Sequence, residues 1–110
     1  MRAVPFGMPS LEQLEKLLAS DPNDPFVLYG IAQEHAKSDD HAKAIEFFDR
    51  CLASDPTYLY AYYHKAMSQE ASGDAEAAKT TLRIGVAHAR ETGDAKAQGE
   101  MAEQLERLEG

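Results

Sequence analysis

Apolar side chains recur along this chain at helical spacing, in runs set apart by proline, glycine and aspartate. Leu11, Leu14, Leu17 and Leu18 lie at i, i+3, i+6 and i+7 and share one helical face. Ser10 is placed to cap that helix, and Asp21-Pro22 stops it, because a residue before proline avoids the helical region. Asp24 caps a second helix with Pro25 in its first turn, where the missing N–H costs nothing. Its inward stripe is Leu28, Ile31, Ala32 and His35, and it ends near Ser38. Asp40 caps a third helix, with Ala44, Ile45, Phe48, Cys51 and Leu52 inward and Pro56 at its end. A fourth runs from about Tyr58 to Ser72 with Tyr62 and Ala66 inward, and Gly73 suits the residue that follows a helix. Asp74 opens a fifth helix carrying Ala78, Leu82, Gly85 and Val86, which runs on to Thr92-Gly93. Asp94 opens a sixth, with Ala97, Met101, Leu105 and Leu108 inward. Glu12–Lys16, Glu46–Arg50 and Glu103–Arg107 are spaced as i,i+4 ion pairs with the acid first.

The chain also repeats itself. Leu18-Ala19-Ser20-Asp21-Pro22 returns as Leu52-Ala53-Ser54-Asp55-Pro56, an offset of 34 residues. The same offset pairs Ala32 with Ala66, Asp40 with Asp74, Ala44 with Ala78, Cys51 with Gly85, Phe26 with Tyr60 and Tyr29 with Tyr63. This period and these positions resemble the tetratricopeptide repeat, in which each unit is two antiparallel helices, A and B. The resemblance implies an all-α helix-pair solenoid, a right-handed superhelix of about six helices. Two full repeats map onto residues 25–58 and 59–92. Residues 10–24 match the B half of an earlier repeat, and residues 93–110 a capping helix, so that 10–110 form one domain behind a flexible tail, 1–9. The family places small residues where its helices cross, and Ala32, Ala44 and Cys51, then Ala66, Ala78 and Gly85, stand at those positions. Three departures stand out: Lys65 replaces a usual leucine, Arg90 replaces the closing proline, and Gly99 misses the small position of the sixth helix by one residue.

Charge and cysteine usage narrow the function. A net charge of −8 and no basic cluster argue against nucleic acid and anionic membranes as partners. The single Cys51 excludes an intrachain disulfide and fits a reducing, cytoplasmic setting. No phosphate-binding glycine loop, nucleophile elbow or metal-type histidine spacing occurs, so the expectation is a protein that is not an enzyme and uses no cofactor or metal. His35 belongs to a core stripe, and Cys51 to a tight helix crossing where an inert thiol is expected.

The resemblance further implies that the A helices line a concave groove for a peptide or protein segment. By position, Phe26, Tyr29, Gln33 and Lys37 would come from the first full repeat. The second would supply Tyr60, Tyr63, His64, Met67 and Glu70. Phe26, Tyr29, Tyr60 and Tyr63 are not needed for the inward stripes, so they read as an exposed aromatic patch of the kind that marks an interaction surface. Some family members grip a C-terminal carboxylate with Lys, Asn and Arg at matching positions. Tyr29, Gln33 and His64 stand there instead, which points to a partner with apolar or aromatic anchors and neutral or basic flanks. The alternative is that the same rings are covered by a second copy in a homodimer.

Overall fold

The computed structural model describes residues 9–110; the N-terminal tail expected over 1–9 lies, but for Pro9, outside the described residues. Six helices follow in order: α1 (Leu11–Ser20), α2 (Pro25–Lys37), α3 (His41–Ser54), α4 (Leu59–Ala71), α5 (Ala75–Thr92) and α6 (Ala95–Glu109). There is no strand among the described residues. Each helix packs on the next, and α2 also touches α4, as α4 touches α6. The A helices α2, α4 and α6 thus lie side by side, with α1, α3 and α5 as the other layer. The result is an elongated all-α solenoid measuring 50 × 29 × 24 Å.

Short polar side chains start the helices. Ser10 and Gln13 form a reciprocal capping box, with Gln13 N–H donating to Ser10 Oγ at 3.2 Å and Ser10 N–H to Gln13 Oε1 at 2.8 Å. Asp40, Asp74 and Asp94 each accept the backbone N–H three residues on, at 3.2, 3.0 and 2.9 Å. Asp24 accepts from Phe26 and Val27 while Pro25 fills the first turn. Only α4 begins without a side-chain cap, because Tyr58 stands where its repeat counterpart Asp24 caps α2; Asp55 serves the preceding turn by accepting from Thr57.

The core is a chain of three clusters rather than one centre. Leu14, Val27 and Ile31 join α1 to α2. Leu28, Ala32, Ala44, Phe48, Cys51 and Ala61 join α2, α3 and α4. Leu59, Tyr62, Ala66, Ala78, Leu82, Ala89, Ala97 and Met101 join α4, α5 and α6. The small residues permit this closeness: a Cβ on Gly85 would stand 2.5 Å from Met101 Sδ and 2.7 Å from Tyr62 Cβ.

Leu17, expected inward, is 51% exposed. It occupies the repeat position of Cys51 and Gly85, and Gly85 is wedged between A helices on both sides. No described element precedes α1, so Leu17 has an A helix on one side only. Two expected ion pairs also give way to longer reaches. Arg50 lies over the Phe47 ring at 4.9 Å and donates to the Pro22 carbonyl, and Arg107 crosses to α4. Lys65 keeps its ammonium outside by pairing with Asp49 of α3 at 2.6 Å.

The turns between paired helices differ in one respect. Asp39 has φ of 60°, the left-handed region, and Gly73, one repeat later, has φ of 87°. An aspartate pays for that conformation where glycine does not. The Asp39 carboxylate is almost fully exposed and only 3.6 Å from His41, a contact worth little in water. Asp39→Gly is therefore expected to raise stability by about 0.5–1 kcal/mol, seen as a higher urea midpoint with an unchanged slope.

Candidate functional site

The groove positions lie on α2 and α4, and the geometry there is mainly aromatic. Ring centroids run Tyr29–His64 5.9 Å, His64–Tyr63 5.1 Å and Tyr63–Tyr60 6.4 Å, a continuous row from α2 onto α4. Tyr58, just before α4, packs against Tyr29 with ring centroids 4.9 Å apart, the planes tilted by 36°. Phe48 supports the row from below, 5.9 Å from Tyr29 and 6.4 Å from His64.

These rings are less exposed than their sequence positions suggest. Phe26 is 63% exposed. Tyr29, Tyr60 and Tyr63 are half-buried and pack against the clusters beneath them. The expected patch of four exposed aromatics is thus one open ring beside three that present a face to solvent and another to the core. Burial pushes the Tyr29 hydroxyl up to about 12, so it stays a neutral phenol. Burial also lowers His64 below the usual imidazole range, which favours the neutral ring among its aromatic neighbours.

The polar members of the set divide. Gln33 donates to the Tyr29 hydroxyl at 3.4 Å, from the next turn of α2. Lys37 turns to Glu34 of its own helix at 2.9 Å. Met67 is half-buried. Glu70 is held by both ends of the Arg107 guanidinium, at 2.7 and 3.0 Å, which keeps its carboxyl below the usual range. At the other end of α4, the Tyr60 hydroxyl donates to Glu100 Oε1 at 3.0 Å. The two contacts pin α6 beside α4, so α6 forms a third wall of this face. Tyr58, Glu100 and Arg107 were absent from the sequence-derived set. Ala97 and Met101 show that α6 carries the A-helix pattern at an offset of 35 rather than 34, but at that offset Glu100 and Arg107 match Lys65 and Ser72, outside the groove positions, so repeat position does not signal them.

Elsewhere the titratable groups serve packing. His41 Nδ1 lies 3.1 Å from the hydroxyl of buried Ser68 and joins α3 to α4, with Asp39 near its other nitrogen. Ser68 is sealed from solvent, so its hydroxyl braces a repeat junction. Half-buried His35 stacks on Phe47 at 5.6 Å. The Cys51 thiol is free, buried and pushed up to about 12 by burial, out of the range of a reactive thiolate. Among the described residues no group of three or more His, Cys, Asp or Glu side chains is placed to hold a metal ion. No helix there is long and apolar enough to cross a membrane.

A row of paired helices with small residues at every crossing defines a helical-repeat protein, and comparison identifies the kind. The tetratricopeptide repeat family model matches residues 35–103, and the chain belongs to that family. A TPR repeat-containing protein of Pseudomonas aeruginosa is 29% identical over 99 residues, covering 90% of this chain and 94% of that protein. A tetratricopeptide repeat domain protein of Salinibacter ruber, solved in solution, is 36% identical with a TM-score of 0.76, covering 82% of this chain and 91% of that one. The TPR2B domain of yeast Sti1, in its pHsp70 complex, has the same fold at a TM-score of 0.84 and 20% identity, covering 90% of this chain and 79% of that one. The fold is in general a protein–protein interaction module.

Proposed function

We propose that this protein binds an extended segment of another polypeptide along the A-helix face, with Phe26, Tyr29, His64, Tyr63 and Tyr60 as its floor. The observation that carries the reading is the unbroken row of rings across two repeats, beside an open Phe26. Half-buried tyrosines suit such a floor, because packing already fixes their rotamers and little entropy is lost on binding. Gln33, Lys37, Met67 and Glu70 border it. Residues 10–110 act as one unit, with α1 as the second half of a pair, pairs at 25–58 and 59–92, and α6 closing the stack. The role is that of a scaffold without catalysis of its own, and the free, buried Cys51 is in keeping with a cytoplasmic one.

Panning a random peptide display library against the protein should enrich peptides that shift the backbone amides of α2 and α4 in isotope-labelled protein. Phe26→Ala combined with Tyr63→Ala should weaken that binding about 30-fold or more while far-ultraviolet circular dichroism still reports helix. Phe26→Ala alone removes only an exposed ring and serves as the variant whose folding is not at risk. Shifts confined to α3 and α5, or an undiminished affinity in both variants, would overturn the reading. Exposed Leu17 at the α1 end favours self-association as a second reading. That would appear in the same spectra as shifts on α1 that depend on protein concentration alone.

A further inference from the structure

We infer that the segment bound on this face is basic, with an apolar or aromatic side chain seated on the Tyr29–His64–Tyr63 rings and a lysine or arginine reaching the α6 wall. This deepens the groove reading and rests on it. Four cations lie on the A helices, Lys37, Lys65, Lys96 and Arg107. Lys37 is paired with Glu34 at 2.9 Å, Lys65 with Asp49 at 2.6 Å and Arg107 with Glu70 at 2.7 Å. Lys37, Lys65 and Arg107 are thus neutralised by acids of this chain, whereas Lys96, exposed in the first turn of α6 and one turn before Glu100, has no ion pair among the described residues. A partner carboxylate arriving at one of the three paired cations would have to displace its acid, and displacing the Arg107 fork would strand Glu70.

The acids are not balanced in the same way. Glu100 reaches Tyr60, and a phenol holds a carboxylate in place without cancelling its charge. That contact raises the Tyr60 hydroxyl above the usual phenol range, as expected beside a retained negative charge. Glu106 lies six residues further along α6, exposed, at the repeat position of Lys37 in α2, and it has no ion pair among the described residues. Tyr60 adjoins Glu100, with the Tyr63 ring 6.4 Å from that of Tyr60, and aromatic faces attract ammonium and guanidinium groups as carboxylates do. The α6 side, with Glu100 and Glu106 against the one unpaired Lys96, therefore carries net negative charge next to aromatic faces, within a chain of net charge −8. Both the local and the overall field favour a cationic segment.

Spacing follows from the layer. Packed helices stand about 8–10 Å apart and an extended chain advances about 3.3 Å per residue. An anchor above the α2–α4 rings and a basic side chain at α6 are therefore about three residues apart in the partner.

Three short synthetic peptides test this, each with one tryptophan anchor and, three residues on, either lysines, serines or glutamates. The protein has no tryptophan, so the anisotropy of the anchor reports the peptide alone. The lysine peptide is expected to bind about tenfold tighter than the serine peptide at low salt, with the gap closing as ionic strength rises past about 0.3 M. The glutamate peptide should be the weakest. Glu100→Gln keeps the hydrogen bond from Tyr60 and removes the charge. It should narrow the lysine–serine gap severalfold, read as the ratio of the two affinities in the same variant. Equal binding of lysine and serine peptides, or a gap indifferent to Glu100→Gln, overturns the inference while leaving the groove reading intact. Failure of all three peptides to bind or to displace a display-selected peptide overturns both.

Discussion

Phe48→Ala is expected to cost about 3–5 kcal/mol, the range for emptying a buried aromatic site. Phe48 is fully buried in α3 among Leu28, Ala32, Ala44, Cys51 and Ala61, the cluster that joins two repeats. Small domains carry about 5–15 kcal/mol in all, so this loss takes a large share of the stability. The neighbours are poorly suited to collapse into the space, because Ala32, Ala44 and Ala61 have no side chain to extend. The damage should also reach the proposed site, since Tyr29 and His64 rest on the Phe48 ring. Urea titration followed by far-ultraviolet circular dichroism measures the first effect. The second should appear as peptide affinity lost even at urea-free conditions where the variant remains helical. A loss under about 1 kcal/mol would mean that the solenoid core does not depend on this ring, contrary to the packing.

How much of this was readable in the sequence follows from what each residue's neighbours are. Asp40, Asp74 and Asp94 were legible because a cap is a local event, settled within three residues. Ala32, Ala44, Ala66 and Ala78 were legible because a repeated fold asks the same question at the same place, and the 34-residue period marks the place. Leu17 was not, because among the described residues it meets an A helix on one side only, which period alone does not reveal. The rings were half legible. Tyr29, Tyr60 and Tyr63 lie on the A-helix face as their positions imply, yet a phenol ring is wide enough to touch both solvent and core. A stripe drawn by helical angle assigns it to one side only. Glu100 and Arg107 escaped because they match no groove position at an offset of 34 or 35 and join the face only through side-chain contacts across helices, to Tyr60 and Glu70. Separately, α5 ends at Gly93 rather than at a proline, which lets α6 enter one residue out of step. Counting by 34 then places every groove position of α6 wrongly by about a third of a turn, since one residue turns a helix through about 100°.

Gly85→Ala is the second large effect, and its sign runs against helix propensity. In the middle of an open helix, alanine for glycine gains about 1 kcal/mol. Gly99 offers that situation on α6: a Cβ there meets nothing within 4 Å, and Gly99→Ala should stabilise by about 0.5–1 kcal/mol. At Gly85 a Cβ would stand 2.5 Å from Met101 Sδ and 2.7 Å from Tyr62 Cβ. The methionine tip can swing aside, but Tyr62 Cβ is fixed to the backbone of α4, and the Tyr62 hydroxyl is tied to the Pro56 carbonyl at 2.7 Å. Relief must come from α5 moving off α4, and overpacking of this kind costs about 1–3 kcal/mol, which outweighs the propensity gain. Movement of α5 also shifts α6, which packs on it, and so strains the Tyr60–Glu100 and Glu70–Arg107 contacts that fix the third wall. The two substitutions are chemically identical and should move the urea midpoint in opposite directions. If Gly85→Ala proved as stabilising as Gly99→Ala, the close approach of α5 to α4 and α6 would be wrong, and with it the placement of Glu100 beside Tyr60.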